Sequence, residues 1–146
     1  MELITDRTQA HVDLLNTLRA KGWDNLSEYE KSVWYGEAAK GAYNYTDLNR
    51  VESAVAEIAE LLGLDLTTKT DWDVWDVPTQ EDMARYLSNI ETVKSVCPSG
   101  RNLQSVPVRM TGLTFETANR IEELLLMVNR SAVSIPRSGD IYCGEV

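Results

Sequence analysis

The sequence is sparing in the residues that most often carry chemistry or cross-links: two cysteines, one histidine, four prolines and one phenylalanine among 146 residues. Cys97 and Cys143 stand far apart, and neither belongs to a CxxC or Cys/His cluster, so zinc ligation and a thioredoxin-type site have no motif to rest on. Both read as free thiols of a reducing cytoplasm. The alternative is a single bridge from the chain's tail to a helix end, although disulfide-stapled domains are usually smaller and richer in cysteine. The only histidine, His11, lies near Asp13 with no serine or cysteine in a nucleophile motif, so a solvated helix histidine is expected rather than a triad. Neither GxxxxGK[ST] nor GxGxxG occurs, which removes the Gly-rich phosphate loops.

Basic charge is also short. Fourteen Lys and Arg face 23 Asp and Glu, and the resulting net charge of −9 repels phosphate backbones and anionic membrane surfaces. Neither a nucleic-acid nor a membrane partner is expected. No apolar run reaches membrane-spanning length, and Met1-Glu2-Leu3-Ile4-Thr5-Asp6 lacks the basic start and apolar stretch of a signal peptide. The expected location is the cytoplasm of the cell that makes the chain.

What is present is helical periodicity. With 43% hydrophobic residues the chain can bury one core, and the expected architecture is mainly α. About five helices should form a compact bundle over residues 1–135, with an aromatic loop and an extended tail at 136–146. The first helix is predicted over about 6–20, capped by Thr5, with Val12, Leu15 and Leu18 inward and Gly22 as its stop. The second starts at Ser27, whose capping box uses Glu30. Tyr29, Val33 and Trp34 should face inward, and Gly36 interrupts it.

The third helix, about 47–62 with Thr46 as cap, carries the cleanest stripe: Leu48, Val51, Val55, Ile58 and Leu62, closed by Gly63. A fourth runs from Gln80 to about Cys97, started by Thr79 with Asp82 and stopped by Pro98; Met83, Leu87, Ile90, Val93 and Cys97 face inward. The fifth opens at Thr114. Ala118, Ile121, Leu124, Leu125, Leu126 and Val128 give it the widest apolar face, which suits the centre of the bundle. Residues 64–70 begin with strand-like alternation but have no evident partner, and 98–112 read as an ordered crossing loop containing Leu103, Val106 and Val108.

Candidate sites are few. Trp72 and Trp75, in Asp71-Trp72-Asp73-Val74-Trp75-Asp76, could form a stacking platform, although a loop crossing helices often uses tryptophan to anchor itself. The same loop fails as a calcium site: position five of the EF-hand pattern is Trp75 and no glycine follows in register. Tyr43 and Tyr45 precede the third helix, where packing and contact roles are not separable by spacing. The carboxylate pairs Glu57/Glu60, Glu81/Asp82 and Glu122/Glu123 read as solvated helix faces. No catalytic residue, metal ligand or cofactor site emerges, so an enzyme is not expected.

Several phrases resemble a family of small proteins and C-terminal modules from phages and prophages of Gram-positive bacteria. They are Gly41-Ala-Tyr-Asn-Tyr-Thr-Asp-Leu-Asn-Arg50, Thr70-Asp-Trp-Asp running on to Asp76-Val-Pro-Thr79, Met83-Ala-Arg-Tyr-Leu-Ser-Asn-Ile90, Gly112-Leu-Thr-Phe-Glu-Thr-Ala-Asn-Arg-Ile121 and Ser138-Gly-Asp-Ile-Tyr-Cys-Gly-Glu145. The resemblance implies a virion or tail/baseplate-associated structural role, with phage structural proteins or a second copy of the chain as partners. It supplies no catalytic residues. Trp72, Trp75, Tyr43 and Tyr45 are the expected contact residues, because aromatic side chains dominate interface energetics. The alternative is an acidic decoy whose helix faces imitate a phosphate track and occupy a host DNA-binding or other basic protein.

Overall fold

The computed structural model describes residues 1–97 and 103–134; Pro98, Cys143 and the expected tail lie outside the described residues. Five α-helices and no strand are found among them: α1 Gln9–Lys21, α2 Glu28–Tyr35, α3 Tyr45–Leu62, α4 Gln80–Ser95 and α5 Phe115–Ser134. Two 3-10 turns, Trp23–Asn25 and Glu37–Gly41, flank α2. This is the mainly α bundle that the periodicity predicts.

Caps explain most boundaries. At α2, the Ser27 side chain accepts from the Glu30 amide, and the Glu30 carboxylate accepts from the Ser27 amide at 3.1 Å. At α4, Asp82 accepts from the Thr79 amide at 2.8 Å, which with the Thr79 hydroxyl holds the Asp82 carboxyl below the usual carboxylate range. Gly63 closes α3 at φ 69°, a left-handed conformation that glycine adopts without a Cβ clash.

Two predicted starts are corrected. α3 begins two residues before Asp47, because Asn44 rather than Thr46 is the cap: its Oδ1 accepts from the Thr46 amide at 2.9 Å, and Asp47 accepts from the Asn44 amide. α1 begins after Thr8, not Thr5, because the preceding segment is extended along α5. The Ile4 amide donates to Glu122 at 2.6 Å, and the Arg7 backbone pairs with the side chain of Asn119 in both directions. Those long-range bonds would be lost if residues 6–8 wound into a helix.

The main core joins α3, α4 and α5. Val51, Val55 and Ile58 meet Tyr86, Ile90 and Val93 of α4 and Ile121, Leu124, Leu125 and Val128 of α5, and Cys97 is buried at the edge. Leu103, Val106, Met110 and Leu113 fold the crossing segment onto this core, whereas Val108 is 99% exposed. A second, smaller cluster of Leu15, Leu18, Leu26 and Ala38, with Val33 and Trp34 against it, holds α1, α2 and the 37–41 turn together. Tyr29 is not part of it; the ring is 77% exposed. The inward face of α2 is centred on Glu30 and Trp34, and Tyr29 lies about 100° round the helix from Glu30.

Gly41 sets how closely this lobe closes. A Cβ there would lie 2.4 Å from the His11 carbonyl oxygen and 2.9 Å from the Val12 Cα, so the turn rests backbone against backbone on α1. Residues 64–70 are extended without a strand partner, and side chains serve in its place. Asn89 and Arg85 donate to the Thr67 carbonyl at 2.7 and 3.0 Å, and the Lys69 amide donates to Glu52 at 2.9 Å. No helix among the described residues is long and apolar enough to cross a membrane.

Candidate functional site

Two buried polar networks fix the ground on which any site must stand. In the first, Glu122 of α5 is fully buried and its carboxylate accepts from Arg7 Nη2 at 2.7 Å, Arg50 Nη2 at 2.7 Å, Arg50 Nε at 3.0 Å and the Ile4 amide. Asp47 faces both guanidiniums from α3. Two positive and two negative charges therefore neutralise one another inside the fold, as buried ions must. Burial opposes the charge on Arg50, but the bonds to Glu122 and Asp47 outweigh it and push its pKa up. The Glu122/Glu123 expectation is thus corrected for Glu122, which is a core residue. Of the Arg7 donors, the buried Nε alone lacks a partner.

The second network is centred on Glu52, 2% exposed in α3. It accepts from Arg85 Nη1 at 2.5 Å, from the Lys69 amide and from Trp72 Nε1 at 3.0 Å. Asn49 completes the clamp, bonding both the amide and the carbonyl of Trp72 at 2.7 and 2.8 Å. Between the networks the Tyr43 and Tyr86 hydroxyls meet at 2.5 Å.

Burial raises both of these hydroxyls above the ordinary tyrosine range, and the neighbouring Asp47 and Glu122 charges push Tyr43 the same way. Because the folded values are raised, the contribution of the neutral pair is complete below about pH 10 and is lost as pH climbs through the folded values. An ultraviolet titration should therefore show Tyr43 and Tyr86 ionising late, together with unfolding. The variant Tyr43→Phe should remove one late proton. Smooth ionisation of every tyrosine near the ordinary value, with the fold intact, would contradict this.

The four aromatic candidates are divided by the fold. Tyr43, Tyr45 and Trp72 line one groove of about 750 Å³ between the α1 lobe and the 72–78 loop, with Leu48, Met83, Met110 and Leu113. Trp72 is only 5% exposed, so its expected place in an exposed patch is corrected: the indole is an anchor, drawn inward by Glu52 and Asn49. Tyr45 is partly exposed, and Trp75 is 87% exposed on the same loop. Asp73 and Asp76 fold that loop. Asp73 accepts from the Trp75 amide at 2.7 Å and Asp76 accepts from the Asp73 amide at 3.0 Å, so both carboxylates work as turn formers.

Pro78, Met83 and Met110 belong equally to an adjoining groove of about 630 Å³ that continues past Ala84, Leu87 and Val108. Two exposed valines line the combined channel, Val74 in the first groove and Val108 in the second; Trp75 and Val77 are exposed on the same loop as Val74 but line neither groove. Methionine suits such a floor because its unbranched, polarisable chain adapts to different shapes. No local pattern marks this methionine floor, because Met83 and Met110 come from distant segments; Val74 is the one exposed apolar lining residue inside the aromatic loop.

Elsewhere, His11 is held at both ring nitrogens. Nδ1 accepts from the Thr8 amide at 3.0 Å, which leaves Nε2 to donate to Glu37 at 2.8 Å. On the α2 lobe, Trp23 meets Trp34 and Tyr35 edge-on at 5.7 Å, with Lys31 over its ring. Among the described residues no three His, Cys, Asp or Glu side chains group as metal ligands. Comparison with protein-family models, curated proteins and solved structures finds no match to this chain.

Proposed function

We propose that the chain is a non-enzymatic interaction protein of a phage or prophage, associated with the virion at the tail or baseplate, and that it docks on a protein partner through the channel floored by Met83 and Met110. The observation that carries this reading is an apolar floor with exposed valines among its lining: Val74 is 66% exposed in one groove and Val108 99% exposed in the other. Exposed apolar side chains beside an apolar groove are a mark of interaction sites in soluble domains. The buried carboxylates Asp47, Glu52 and Glu122 are each engaged by arginines, which suits a rigid scaffold better than acid–base chemistry. The phage assignment rests on the sequence phrases given above.

Quantitative mass spectrometry of purified particles from the producing strain tests it. The expected result is a fixed copy number relative to the major capsid protein. Absence from particles, with the protein abundant in the lysate, overturns the virion role and favours the acidic decoy acting in the host cytoplasm.

A further inference from the structure

We draw no further inference here: the strongest candidate, the cavity of about 310 Å³ beside the first turn of α5, where the buried Arg7 and Lys40 share the lining with Glu116, carries nothing, because Asp47 and Glu122 already neutralise Arg7 and Asp6 and Glu37 pair with Lys40, so no uncommitted positive charge is left to select an anion.

Discussion

Glu122→Ala is expected to destabilise the protein by about 3–5 kcal/mol, a large share of the total stability of a domain this size. The change leaves Arg7, with a side chain 1% exposed, and Arg50 facing Asp47 alone, so one positive charge is stranded in a dry interior. It also frees the Ile4 amide that pins the N-terminal segment to α5. Glu122→Gln keeps the shape but removes the charge and turns one acceptor into a donor against two guanidiniums, so it should recover little. Removing Arg7 as well should help. In the double variant Arg7→Met/Glu122→Leu, Arg50 and Asp47 remain as a balanced pair, so the loss should be smaller than the sum of the single losses. Equilibrium urea unfolding of the wild type, Glu122→Ala, Glu122→Gln, the double variant and its two single variants, Arg7→Met and Glu122→Leu, measures this. A Glu122→Ala loss below about 1 kcal/mol would mean the carboxylate is hydrated and the network does not hold the fold together.

The helices were legible because their signals are local. Ser27 with Glu30 and Thr79 with Asp82 lie three residues apart, and the α3 stripe repeats within a few turns, so the information needed sits inside each element. The buried charges were not legible for the opposite reason. Arg7 reaches Asp47 across 40 residues and Glu122 across 115, and only the assembled bundle brings them together. Glu122 has Ala118 and Leu125 on its own face, which was the one local hint that it belongs to the apolar side. Without the arriving arginines, a charged residue beside a stripe looks like a solvated edge.

The false start at Thr5 has the same origin, since a threonine before a periodic run satisfies the cap pattern whether or not a distant residue holds the chain extended. The phrases that suggested a phage family acquire a physical content here. Four of them contain side chains that hold this fold: Asn44, Asp47, Asn49 and Arg50; Trp72; Arg85, Tyr86 and Asn89; and Asn119. The channel had no motif because its floor comes from residues as far apart as Tyr43 and Met110.

The two tryptophans of the 71–76 loop should part company under substitution. Trp72→Ala removes a buried indole and is expected to destabilise by about 3–5 kcal/mol, from lost packing and the space left behind. It also deprives Glu52 of a donor, leaving the Lys69 amide and Arg85 to satisfy a carboxylate that is itself buried. Trp72→Phe separates the two contributions: it keeps much of the apolar bulk and loses only the Nε1–H, so about 1–3 kcal/mol is expected. Trp75→Ala lies in solvent, makes its loop bond through the backbone amide, and should change stability by less than about 0.5 kcal/mol. Thermal and urea unfolding rank the three. Equal losses for Trp72→Ala and Trp75→Ala would mean that the loop folds as one unit on both indoles. The expected split instead makes Trp72 the post that fixes the loop against α3 through Asn49 and Glu52, and leaves Trp75 and its valine neighbours exposed on a loop whose fold does not depend on them.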